Sequence, residues 1–332
     1  MKLSCPLYVG TCLLVVSIAT ECFAQTKLTA VSAPARLQLP GESLTIQDRP
    51  AFIYMPEESK RSTPQPWIFY APTLPAYPDE AERWMHEKFL AAGIAVAGID
   101  VGEAYGSPLS HPTLNAFYDE LTTKRGFAKK PCLFGRSRGG LWVSSWAIAH
   151  PDRVAGIIGI YPVYDFRTYP KIENAASAYG VTAEELTQRN AELNPIERID
   201  VLVKAKIPIT IIHGDNDVVV PLKENSLELQ QRYERGGEGA LVKLIIAKGQ
   251  GHNFWEGFFK EQQLVDFAIQ HARAGAAAVP GREDRHVPAR RAGLCRCVRG
   301  DWSCRHQAGA GAGHPARSGG RGSRAQSAEP AG

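Results

Sequence analysis

Between positions 40 and 274 short apolar runs alternate with longer mixed segments. Trp67–Ala71, Ile94–Ile99, Pro131–Phe134, Val154–Tyr161, Ile207–Ile212 and Leu241–Ala247 are runs of strand length, and the continuous apolar Ile94–Ile99 has the pattern of a parallel strand buried on both faces. Ser43–Gln47 and Ala51–Met55 flank Asp48-Arg49-Pro50 and predict an antiparallel pair at the start of the domain. Helices are predicted over Asp79–Ala92, with acidic residues in its first turns where the helix dipole favours them, and over Leu114–Lys124 and Gly139–His150. Strands and helices in alternation imply an α/β fold with a mostly parallel, doubly wound sheet. Asp165–Arg198 is the only insertion long enough for a cap, and it is small.

The strand at Pro131–Phe134 runs directly into Gly135-Arg136-Ser137-Arg138-Gly139. A G-x-S-x-G turn between strand and helix holds a serine in a strained backbone conformation with its hydroxyl exposed. Such a hydroxyl is a poor nucleophile unless a base and an orienting acid stand nearby. Candidates for both follow. Ile207–Ile212 leads into His213-Gly214-Asp215-Asn216-Asp217, and Leu241–Ala247 leads into Gly249-Gln250-Gly251-His252. Asp217 and His252 thus sit in loops beyond strand ends, where open α/β sheets build their sites. The order Ser137, Asp217, His252 is the α/β-hydrolase order.

On these motifs, G-R-S-R-G, H-G-x-x-D-x-x-V-P and G-H-x-F, the chain resembles α/β-hydrolases of the dienelactone hydrolase and prolyl oligopeptidase-like esterase group over roughly Pro40 to Ala274. The resemblance implies an α/β-hydrolase fold, a Ser137–Asp217–His252 triad and acyl transfer without a metal or organic cofactor. Acyl transfer also needs donors for the oxyanion. The Arg138 backbone N–H, next after the nucleophile, is one candidate. The second is expected from the loop after Trp67–Ala71, where Pro72 and Pro75 have no N–H, leaving Thr73 or Leu74 with Thr73 preferred.

Arginines flank the serine on both sides. Arg138 either binds substrate, by holding a carboxylate or an oxyanion, or pairs with a local carboxylate; Arg136 reads as structural. Ser137-Arg138-Gly139-Gly140 is locally similar to the Ser-Arg-x-Gly of glucuronoyl esterases. Tyr70, Tyr105, Trp142 and Trp255, near strand ends, are candidate substrate-binding residues, and with Tyr161 and Tyr164 they could wall an aromatic cleft suited to sugar rings or an aromatic acyl group. His213 is expected to support its own loop, and Cys132 to be a small buried residue under the elbow.

The ends of the chain differ in character. Lys2, the apolar run Leu7–Ile18 and Cys22-Phe23-Ala24 read as a secretory signal peptide over residues 1–24, too short an apolar run to span a bilayer. The expected location is periplasmic or secreted, with no membrane association after cleavage. Residues 25–274 form the catalytic domain, and 275–332 are an Arg/Ala/Gly/Pro-rich tail without helical or strand period, expected to be disordered. That tail has ten arginines against four acidic residues, whereas the whole chain of 332 residues carries a net +4. The basic balance therefore belongs to the tail, and no nucleic-acid partner is expected for the hydrolase domain. Cys295, Cys297, Cys304 and His306 lack zinc-finger spacing, so no metal is expected.

The function expected is an exported serine carboxylesterase, acting on small-molecule or polysaccharide esters such as acetyl or uronate esters of plant polysaccharides. Two alternatives remain, a prolyl oligopeptidase-like serine peptidase and a non-catalytic carbohydrate-binding homologue.

Overall fold

The computed structural model describes residues 37–71 and 78–277. The expected signal peptide and nearly all of the basic tail, with its cysteines and His306, lie outside the described residues, as does Thr73. Among the described residues eight strands form one sheet in the order β1-β2-β4-β3-β5-β6-β7-β8. The first two, β1 (Glu42–Ile46) and β2 (Arg49–Tyr54), are the antiparallel pair. Their two-residue turn puts Gln47 and Asp48 at positive φ, 49° and 59°, as a tight hairpin requires. The parallel strands are β3 (Trp67–Ala71), β4 (Ala95–Ile99), β5 (Cys132–Arg136), β6 (Gly156–Ile160), β7 (Ile209–Gly214) and β8 (Val242–Ala247).

The runs that form β3, β4, β5, β6 and β7 are buried on both faces, whereas the edge strand β8 leaves Lys243 and Ile246 exposed, and the alternation along the strands sorts side chains into two cores. Trp67, Phe69 and Leu133 join the layer that holds helices α2 (His111–Asp119) and α3 (Gly139–Ala149). Ile68, Tyr70, Cys132 and Phe134 point the other way, into the layer of α1 (Arg83–Ala91) and α5 (Gln262–Ala276). Burying each large apolar side chain contributes about 1.5–3 kcal/mol, so the two faces together carry the fold. Cys132 is fully buried, and desolvation pushes its thiol well up, out of the reactive range.

Predicted helices shift at their ends for local reasons. The helix expected from Asp79 starts with a 3-10 turn at Glu80–Glu82, because Asp79 and Glu82 form a reciprocal capping box, and it becomes α-helical only at Arg83. The one expected over Leu114–Lys124 begins at His111 and ends in a wide π-turn over Glu120–Lys124, where Thr122 and Thr123 hydroxyls donate back to the carbonyls of Tyr118 and Asp119. Of the helices not anticipated from the pattern, the two longest among the described residues are α4 (Glu228–Arg235) and α5, which runs just past the expected domain boundary at 274. Residues 165–198 form the small cap, a set of short helical turns packed through Phe166, Tyr179, Leu186 and Leu193.

Candidate active site

Ser137 follows the last residue of β5 and has φ 51°, a left-handed conformation that costs a non-glycine residue about 1–3 kcal/mol. Its backbone is pinned: its N–H donates to the Ile160 carbonyl (3.0 Å), and its carbonyl accepts from Gly140 and Val163 (both 2.9 Å). The turn closes only because α3 starts very near the exit of β6. A Cβ on Gly140 would lie 2.6 Å from the Val163 carbonyl oxygen and from Pro162 Cβ. Sequence-local demand for glycine thus becomes a tertiary contact.

The acid and base loops are laced to each other. The Asn216 N–H donates to the Gln250 carbonyl (3.0 Å) and the Gly249 N–H to Asp215 Oδ1 (2.6 Å). A side chain at Gly214 would run into the Gln250 carbonyl, so the two loops can approach only over a glycine. His252 is thereby placed with Nε2 2.9 Å from Ser137 Oγ and Nδ1 2.8 Å from Asp217 Oδ2. The other Asp217 oxygen accepts from the Val219 and Val220 N–H groups at 3.0 and 2.8 Å. Burial would push the Asp217 carboxyl up, but hydrogen bonds from His213, His252 and the Val220 N–H outweigh it, so the acid is held far below the ordinary carboxylate range.

His213 is buried between Ser226 Oγ (2.7 Å from Nδ1) and the Val220 carbonyl (2.8 Å from Nε2), and it braces the acid loop as expected for a supporting residue. The Tyr161 ring, at positive φ, packs 4.3 Å from the His252 ring and limits its rotation. Chemically, a carboxylate that orients Nδ1–H leaves Nε2 free to accept the serine proton, and the same imidazole can return it to a leaving group. Among the described residues no cluster of His, Cys, Asp or Glu could hold a metal ion.

The remaining expected site residues part company. The Arg138 backbone is at the start of α3, as an oxyanion donor requires, but its guanidinium is held by Glu103, with Nη1 3.0 Å from Oε2 and 2.9 Å from Oε1. Tyr105 and Trp142 join Arg138 and Glu103 around a recess of about 20 Å³. That is room for about one water, not a substrate ring. Burial, with Glu103 beside it, pushes the Tyr105 hydroxyl up to about 12.

Tyr70 is a correction. It is wholly buried in the α1/α5 layer, where its hydroxyl donates to Glu82 (2.6 Å), because its place on β3 turns it away from the α3 layer. Tyr164 is likewise buried. Trp142 lies chiefly against Phe69, with ring centroids 4.9 Å apart, and only its edge lines the recess. Trp255 is exposed, edge-on to Phe258. Sequence reasoning missed a groove of about 440 Å³ beside the His252 loop, lined by Trp84, Phe254 and Phe259 together with the charged Glu80, Arg83, Glu87, Glu256 and Lys260. The signal available was Phe254 itself, an aromatic just past His252 in a loop that must face solvent.

Residues 116–273 match the model of the prolyl oligopeptidase family, a span that includes Ser137, Asp217 and His252. No curated protein matches the chain. Among solved structures it is similar to Est1E from Butyrivibrio proteoclasticus, at 17% identity and TM-score 0.52, over 72% of this chain and 99% of that one. S-formylglutathione hydrolase from Staphylococcus aureus is similar at 14% identity and TM-score 0.55, over 69% and 98%. A puromycin hydrolase is similar at 17% identity and TM-score 0.52 over 71% of this chain, which spans only 39% of that protein. At these identities the shared property is the fold.

Proposed function

Since the chain has the α/β-hydrolase fold, we propose that it is a serine hydrolase that cleaves carboxylic esters, with Ser137 as nucleophile, His252 as general base and acid, and Asp217 as its orienting carboxylate. The observation that carries this reading is the continuous relay from Ser137 Oγ through His252 to Asp217, at 2.9 and 2.8 Å. In it, His252 takes the serine proton as Ser137 attacks the ester carbonyl. The alcohol leaves with that proton, and water activated by His252 releases the acid from the acyl-enzyme. The Arg138 N–H would stabilise the oxyanion, with Thr73 as the second donor.

Ester cleavage is the activity we put first, with Est1E, a neighbour that has been solved with ferulic acid bound, as the precedent on this fold. Plant-polysaccharide esters, cleaved by an exported enzyme, are the substrate class to test first, with Trp84, Phe254 and Phe259 beside the His252 loop as faces on which a sugar or aryl ring would stack. Because Arg138 is tied to Glu103, neutral esters fit better than acidic ones. The family match favours a second reading, a serine peptidase.

Ser137→Ala should lower turnover of p-nitrophenyl acetate by about 10³-fold or more. Unchanged turnover would sink the mechanism. A panel of acetylated xylan, methyl glucuronate and aminoacyl p-nitroanilides separates esterase from peptidase, and N-terminal sequencing of the protein recovered from periplasm or medium tests cleavage after Ala24.

A further inference from the structure

Arg136 ends β5, immediately before Ser137, and its side chain is only 5% exposed. Burying a guanidinium costs several kcal/mol unless its donors and charge are met. Its charge is met from two sides of the site, by carboxylates on one and aromatic rings on the other. Nη2 donates to Asp79 Oδ2 at 2.7 Å, and Nη1 lies 3.4 Å from Glu82 Oε1. On the other side the guanidinium lies over Phe254 and Phe259, 5.5 Å from each ring centroid, and those rings stack on one another at 5.9 Å and 16°.

Each contact belongs to a different piece of the site. Asp79 and Glu82 form the first turn after the loop that leaves β3, and they are fixed there by their capping box and by the Tyr70 hydroxyl. Phe254 is in the loop that carries His252. Tyr161, whose ring touches His252, also lies in the field of Arg136. Burial opposes the Arg136 cation, but the carboxyls of Glu82 and Asp79 more than offset it, so the charge is retained.

We propose that Arg136 is a positioning residue for the Ser137 chemistry, a clamp that joins the nucleophile strand to the turn after β3 and to the His252 loop. The role needs a planar fork that can donate in one direction and stack in another, which arginine has and lysine lacks. Stability alone gives no reason for such a cluster, since apolar side chains of the same volume often serve a buried site as well or better. The proposal rests on the reading of Ser137 as a nucleophile.

The test compares wild type with Arg136→Lys and Asp79→Asn at a temperature where each is folded by near-UV circular dichroism, measuring kcat and KM for p-nitrophenyl acetate and the rate of Ser137 labelling by a fluorophosphonate. The clamp predicts that both variants lose about tenfold or more in kcat and labelling rate, with KM within about twofold of wild type. A folded Arg136→Lys with wild-type kcat and labelling rate overturns the proposal and leaves the hydrolase reading intact. Should Arg136→Lys fail to fold, Asp79→Asn decides by the same criterion, because it loosens the same contact from a partly exposed side chain (24%). A wild-type Ser137 that neither reacts nor turns over overturns both readings.

Discussion

At the scale of single residues, neighbours in sequence do different work. Arg138 and Arg136 flank Ser137, yet one faces Glu103 at the half-exposed mouth of the site and the other is buried against Asp79 and Glu82. The Arg138–Glu103 pair is partly solvated, so its net worth is small, about 1 kcal/mol. Its consequence lies in selectivity. Glu103→Gln should release the Arg138 guanidinium and raise kcat/KM for an acidic ester such as mono-p-nitrophenyl succinate, relative to p-nitrophenyl butyrate, by about fivefold. An unchanged ratio measured with the two substrates would place Arg138 out of reach of the acyl group.

At the scale of elements, the strained turn at Ser137 persists because β5, α3 and the exit of β6 overdetermine it. The Ser137 carbonyl accepts from both α3 and the residue after Pro162, and Gly140 lets those segments touch. Gly140→Ala forces a methyl group against backbone that cannot yield, and should cost about 1–3 kcal/mol in urea unfolding. It should also lower kcat by more than the lost stability explains, since relief of the clash moves the start of α3 and with it the Arg138 N–H. Wild-type kcat in that variant would mean that the elbow adjusts elsewhere.

At the scale of the whole molecule, stability depends on buried groups that stand outside the Ser137–His252–Asp217 relay. His86 is enclosed by Tyr54, Tyr70, Phe89 and Phe134, and burial lowers its pKa from 6.5 to about 3. Below pH 6.5 the unfolded chain binds a proton that the folded chain refuses, so this residue makes stability fall as pH drops from 6.5 towards 3. At pH 5 the loss is about 2 kcal/mol. Glu82 acts in the opposite sense. Burial lifts its carboxyl from 4.5 to about 7 against the pull of Arg136, so it costs stability as pH rises from 4.5 to 7. His86→Phe should therefore remove about 2 kcal/mol of the acid-side decline between pH 7 and 5, leaving the Glu82 contribution, as measured by urea midpoints at the two pH values. An identical pH slope in the variant would assign the decline to other groups.

The sequence by itself determined the sheet, the elbow and the three residues of the relay, because each is written in short-range order. Apolar runs of strand length specify buried strands, glycines around Ser137 specify a turn no other residues tolerate, and Asp217 and His252 stand in loops directly after such runs. Helix α4 escaped because its apolar positions, Leu229 and Tyr233, are sparse among charged and amide side chains, whereas α5 does carry a stripe at helical spacing, Leu264, Val265, Ala268 and Ala272. Only the tertiary structure decided which way Tyr70 points, that Glu103 occupies Arg138, and that Arg136 meets both Asp79 and Phe254. Those pairings join residues far apart in the chain, and their partners are selected by the register of β3 on β5 and by the loop packing above it, neither of which any local pattern encodes.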